Sequence, residues 1–188
     1  DAWSIVGLVA SENDRGLHER RVWLWGRRTG RRALVLEFVN GGAGFETSWV
    51  VGAGFEGTVA FYPSAAPQRA IVIRRDDAAV KDTQWPASHP EAEIGALAER
   101  LAGNAWHTVA PLLVDDARLV PGRSEAWAAE TSHHHWDLEL EETDASLLLS
   151  ASGGAPISIW GEWTGTYLRP ITAWGGEGIW TRTGEVEP

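Results

Sequence analysis

The chain has 188 residues, enough for one sizeable domain or two small ones with a proper hydrophobic core. Apolar residues make up 44% and charged residues 22%, the balance of a soluble globular protein, and no apolar run is long enough for a transmembrane helix. The net charge of −10 and the absence of cysteine set aside nucleic-acid binding over the whole surface, disulfides, thiolate chemistry and cysteine-based zinc fingers within this segment. The chain begins at Asp1 and holds no Met, which reads as a segment excised or processed from a longer one.

Ala2 to Ala10 reads as a first strand, and polar Ser11 to Glu19, with Gly16, as a loop. Val22 to Arg28 and Arg32 to Val39 form a hairpin. Thr29 resists a positive φ, so a three-residue loop with Gly30 in the left-handed position fits better than a two-residue turn. Alternation puts Trp23 and Trp25 on one face and Val22 and Leu24 on the other. Both faces are apolar, so the hairpin should be covered on both sides.

Asn40 to Gly44 is a glycine-rich loop, and Trp49 to Val51 reads as a short strand. Phe55 to Tyr62 and Ala70 to Arg75 form a second hairpin around Pro63-Ser-Ala-Ala-Pro67. Asp76 to Ala87 is a linker. One amphipathic helix is expected near 88–105: Ser88 and Glu91 have capping-box spacing, Ile94, Leu97, Ala98 and Leu101 recur on one face, and Gly103-Asn104 is a stop.

Val109 to Val114 and Arg118 to Val120 read as two strands, followed by a turn at Pro121. Ala126 to Glu130 pairs with Trp136 to Glu142, and Ser146 to Ser150 leads through Ser152-Gly-Gly-Ala into a closing hairpin, Pro156 to Trp174. There Pro170 points to an edge or a bulge. Trp-Gly-x-x-Thr-Gly occurs twice, at Trp25 to Gly30 and Trp160 to Gly165, and reads as a shared turn solution rather than a duplication. The fold class is mainly β (α+β): antiparallel sheets or a partly closed barrel built of hairpins, about ten strands to one helix. One domain over 1–188 is expected, with any sub-domain boundary at 76–88, between 1–76 and 88–188.

Charge is uneven. Residues 1–94 hold 11 basic and 12 acidic residues, and residues 95–188 hold 5 and 14. The arginines Arg20, Arg21, Arg27, Arg28, Arg31 and Arg32 interleave with Trp23 and Trp25, a pattern that could grip an acidic protein patch or stack and neutralise a nucleic acid. Trp163, beside its turn, is the best candidate for an exposed indole, as a contact or sugar platform. His133, His135, Asp137 and Glu139 would share one face of a strand and could hold a divalent metal. That string is similar to the metal-ligand string of cupins but lacks the flanking glycines and a second motif. The plain alternative is an amphipathic strand with its charges in water. No nucleophile elbow, phosphate loop or zinc-protease motif is present, so the segment is expected to be non-enzymatic, the alternative being a metal-dependent, cupin-like β-barrel enzyme on His133, His135 and Glu139.

Four stretches, in order, carry a family likeness: Arg21 to Phe38, Phe61-Tyr-Pro-Ser-Ala-Ala-Pro-Gln-Arg-Ala70, Leu148 to Pro156, and Ile159-Trp-Gly-Glu-Trp-Thr-Gly-Thr-Tyr-Leu-Arg-Pro170. Together they resemble the C-terminal region of bacterial SWIM zinc-finger family proteins, outside the zinc finger. The resemblance covers roughly residues 3–175 and departs after Gly122. It implies a cytoplasmic interaction module with a protein partner, a MoxR-type AAA+ ATPase or a von Willebrand factor A protein. It implies no cofactor in this segment, because the cysteines of the finger are absent, and no catalytic residue carries over.

Overall fold

Strand-forming runs dominate the computed structural model, as the alternating pattern implies, and the chain divides into two compact units, Asp1–Pro86 and Ala87–Thr183. The structure describes residues 1–12, 17–40, 44–77, 83–103, 109–122, 126–175 and 178–183. The expectations for Gly16, for the centre of the glycine-rich loop, for most of the linker and for a helix stop at Asn104 lie outside them.

The first unit holds β1 (Ala2–Glu12), β2 (Leu17–Gly26), β3 (Arg32–Asn40), β4 (Gly54–Phe61) and β5 (Arg69–Asp76). They close into a barrel in the order β1-β2-β3-β5-β4. Neighbours are antiparallel except β3 and β5, and β4 returns to β1 through Ala2↔Glu56 to Ser4↔Gly54. Closure satisfies the sheet edges that an open hairpin stack would leave bare. Inside lie Trp3, Ile5, Val22, Leu24, Ala33, Val35, Trp49, Phe55 and Ala70. Val22 and Leu24 therefore face the core, as alternation with Trp23 requires. Trp49 to Val51 is not a strand. The chain turns there, with Gly52 at φ 86° and the Ala53 amide donating to the Val50 carbonyl at 3.0 Å.

The second unit begins with α1 (Pro90–Gly103) and continues with β6 (Ala110–Pro121), β7 (Trp127–Glu130), β8 (His135–Leu138), α2 (Glu142–Ser152), β9 (Ile157–Trp163), β10 (Leu168–Gly175) and β11 (Gly178–Thr181). The sheet runs β11-β10-β8-β7-β6-β9, and the additional pairing of β9 with β10 brings it back on itself. The core gathers Leu112, Val114, Leu138, Leu148, Ile157, Ile159, Leu168 and Trp180.

Four sequence expectations change here. The capping box does not form: Pro90 takes the first helical position, and the Ser88 amide donates to Asp115 Oδ2 at 2.8 Å. The buried face of α1 carries Glu93 and Leu97, while Leu101 is exposed, so the apolar stripe is turned from its expected position. The two strands expected between Val109 and Val120 are one, β6. Asp116, at φ 55°, marks an irregularity that β6 passes through while still pairing with β9. Ser146 to Ser150 is helical, within α2, which ends on left-handed Gly153. Pro170 lies at a bulge, not an edge: Ile171 is the extra residue between the Pro170↔Gly161 and Thr172↔Trp160 pairs.

The two units share one connectivity. Strands one to five of the first correspond to β6, β7, β8, β9 and β10, with the third and fifth parallel and the fourth back on the first. Even the bulge repeats. Ile73 is the extra residue of β5 against β4, three positions after Ala70 meets β3, and Ile171 stands three positions after Leu168 meets β8. The Trp-Gly-x-x-Thr-Gly strings do not follow this correspondence. One lies on the hairpin of strands two and three, the other on that of strands four and five.

Candidate interaction surface

The hairpin of β2 and β3 positions the arginines. Its tip is a four-residue loop, Arg27 to Gly30, one longer than expected. The Gly26 amide donates to the Arg31 carbonyl at 2.8 Å, and the Gly30 amide to the Gly26 carbonyl at 2.7 Å. Gly30 takes the left-handed conformation at φ 65°. The Asp1 carboxylate clamps the tip, accepting from the Arg28 and Thr29 amides at 3.2 and 3.3 Å and from the Thr29 hydroxyl at 2.7 Å. A Cβ on Gly26 would lie 2.7 Å from that hydroxyl and 2.8 Å from the carboxylate, so a larger residue there would push the clamp aside.

The six arginines are not equivalent. Arg20 donates to Glu37 directly across the strands, Nε at 2.8 Å, and to the Thr47 carbonyl at 2.6 Å, and it stacks on Phe45. Arg21 is buried and pairs with Glu19 at 3.2 Å. Arg27 donates to the Ser4 hydroxyl at 2.9 Å, and Arg32 is half-buried. Arg28 and Arg31 are exposed. Trp23 is fully buried and Trp25 half-buried, so Trp23 offers no face to a partner.

The loop between β4 and β5 completes the surface. The Arg31 guanidinium lies 3.7 Å above the Phe61 ring, and that of Arg69 lies 5.4 Å from the Tyr62 ring. The Tyr62 amide donates to the Arg69 carbonyl at 2.9 Å, which holds the two residues opposite each other at the loop's base. Sequence reading missed Phe61, Tyr62 and Arg69. The signal was the flanking of a two-proline turn by aromatic and basic residues.

The histidine stretch does not assemble four ligands. β8 starts at His135 and ends at Leu138, so His133 lies in the preceding turn and Glu139 beyond the strand. His135 Nε2 and Asp137 Oδ1 are 3.3 Å apart, but Glu139 accepts from Arg169 at 2.8 and 3.1 Å. Among the described residues no three His, Asp or Glu side chains gather as a metal would need. Trp163 is half-buried, with its ring edge-on to Trp136 at 5.3 Å, and it packs against the core. Arg182 donates to the Pro170 carbonyl, and burial lowers its pKa while Asp144 and Glu139 oppose the shift.

No helix among the described residues is long and apolar enough to cross a membrane. Compared with protein-family models, curated proteins and solved structures, the chain matches none.

Proposed function

We propose that this chain is a non-catalytic protein–protein interaction module of a larger bacterial SWIM-type protein, cytoplasmic and without a cofactor of its own. The tip of the β2–β3 hairpin and the β4–β5 loop beside it would be its contact surface. One observation carries the reading: Arg28 and Arg31 stand exposed on a clamped tip beside Phe61, Tyr62 and Arg69. Pre-ordered cations flanked by aromatic rings suit an acidic patch, because the loop ordering is complete before the partner arrives. In this proposal the partner is an acidic protein, a MoxR-type AAA+ ATPase or a von Willebrand factor A protein by the resemblance.

A nucleic-acid reading has one observation in its favour, and it is an analogy of fold. Five-stranded barrels of the OB type bind oligonucleotides over strands two and three and the adjoining loops, and here strands two and three bear the arginines. A single experiment separates the readings. Arg28→Glu/Arg31→Glu protein and wild type are compared for capture of the candidate partners and of a single-stranded oligonucleotide. Loss of protein capture, with no oligonucleotide retained at about 50 mM salt, supports the module. Unchanged capture refutes it. Oligonucleotide retention that falls steeply with salt favours the second reading.

A further inference from the structure

The parallel seam of the first barrel is short. β3 and β5 pair only at Leu34↔Arg69 and Val35↔Ala70, although β3 runs on to Asn40 and β5 to Asp76. The far edge of β3 is taken by β2 up to Asn40, and the far edge of β5 by β4 up to Asp76. Beyond Val35 and Ala70, among the described residues, no ladder joins the two facing edges. A groove of about 330 Å³ lies between them, lined by Glu37, Trp49, Ile71, Ile73 and Arg74 among others. Its floor is Trp49, whose indole donates to both Glu37 oxygens at 3.1 Å. Its rim is apolar and wet: Ile71 is 44% exposed and Ile73 61%.

The second unit shows what the same position accepts. There the fifth strand, β10, carries β11 on the corresponding edge, antiparallel, from Thr172↔Thr181 to Gly175↔Gly178. The shared bulge fixes the correspondence: Arg74 to Asp76 of β5 match Thr172 to Trp174 of β10. The rest of that seam is closed by Arg182, whose amide donates to the Ile171 carbonyl at 2.8 Å and whose side chain reaches the Pro170 and Glu139 carbonyls. A bulge on a strand edge ordinarily discourages pairing. In β10 it does not, so the Ile73 bulge is no barrier on β5.

We infer that the first barrel receives an extended strand of a partner protein, added antiparallel to β5 along Ile71 to Asp76. In such complexes main-chain hydrogen bonds give affinity and alternate side chains give specificity. The occupant is a strand that alternates apolar residues with carboxylates. Ile71 and Ile73 offer apolar contact, and exposed Arg74 offers a cation with opposite charge preferred across the pair. A second copy of this chain would instead bring another exposed Arg74 to the shared edge. This site lies along the second half of β3, away from the arginine tip at its start, and it stands or falls separately from that surface.

The test uses the full chain and two blocked peptides, Glu-Val-Glu-Val-Glu-Val-Glu and its lysine counterpart Lys-Val-Lys-Val-Lys-Val-Lys. We expect the glutamate peptide to bind and to protect amides of β5 from hydrogen exchange. Arg74→Glu should weaken it at least about tenfold and turn preference to the lysine peptide, because like charges opposite one another are unfavourable. Ile73→Asp, at an exposed position, should weaken both peptides. Arg28→Glu/Arg31→Glu should leave peptide binding unchanged, so that failure at the tip and failure at the seam are told apart. No binding at millimolar peptide overturns the inference, as does binding indifferent to Arg74 and Ile73. Dimerisation of the chain that Ile73→Asp abolishes, without peptide binding, overturns it in favour of a second copy.

Discussion

Glu37 holds together three segments that are remote in sequence, and its removal makes a quantitative test. Its carboxylate accepts from Arg20 Nε at 2.8 Å, from a second Arg20 nitrogen and from the Trp49 indole at 3.1 Å. Arg20 in turn ties down Thr47 and covers Phe45. The side chains are 13% and 21% exposed, so the pair sits between two regimes. Fully exposed ion pairs contribute about 0–1 kcal/mol, and hydrogen bonds to charged groups about 1.5–3. We place the Arg20–Glu37 coupling at about 1.5 kcal/mol, between those ranges. Glu37→Ala should cost about 2–3 kcal/mol in all, because the Trp49 donor also loses its acceptor. The assay is a double-mutant cycle of Arg20→Ala and Glu37→Ala. Urea unfolding of the full chain would be fitted with one transition per unit. The coupling should survive at about 1 M salt, since partly buried pairs are screened less than exposed ones. A coupling under about 0.5 kcal/mol, within ordinary additivity, would refute the assignment of Glu37 as the tie between β2, β3 and the Trp49 segment.

Two further outcomes follow from the second unit. Gly161→Ala places a Cβ 2.5 Å from the Arg169 carbonyl oxygen, which is backbone and cannot swing away. It should destabilise the unit by about 1–3 kcal/mol, read as a lower urea midpoint, and an unchanged midpoint would mean the hairpin opens freely. Helix α2 buries Ala145 and Leu148 and exposes Ser146. Ala145→Asp should cost about 3 kcal/mol or more, by burying an unpaired charge, and Ser146→Asp under about 0.5. If Ser146→Asp were the costlier, residues 146 and 148 would share a face and the segment would be a strand.

What could be read in advance depended on how local each determinant is. The hairpin of β2 and β3 was legible because alternation and Gly30 are properties of adjacent residues. The worth of each arginine was not. Arg20 and Arg31 look alike in the sequence, yet one is neutralised by Glu37 and capped by Phe45 while the other lies on Phe61 at an exposed tip. Those partners are distant in the chain, and only pairing decides them. Helix α2 was missed because Leu147, Leu148 and Leu149 in succession have no period to read, and tertiary burial of Ala145 and Leu148 settles the matter. Asp115 and Asp116 fall in the gap between the two strands expected at Val109 to Val114 and Arg118 to Val120. A local irregularity with a positive φ uses the same residue type inside a continuing strand. His133 to Glu139 had the right spacing for a shared face, but strand geometry holds only from His135 to Leu138.

The order of pairing in the barrels has a consequence for how the chain acquires structure. In the first unit β1 meets β2 early, but its other edge waits for β4, and β3 waits for β5. In the second, β6 waits for β9 in the same way, and β10 receives β11 last. Each barrel is therefore closed by its most remote pairings, and loop-closure entropy must be met before those contacts repay it. During synthesis, the first three strands of each unit emerge as a meander with both outer edges open. The edges that the finished molecule hides are then the surfaces that need shielding, and the edge of β10 that β11 covers stays open until the β11 strand has left the ribosome.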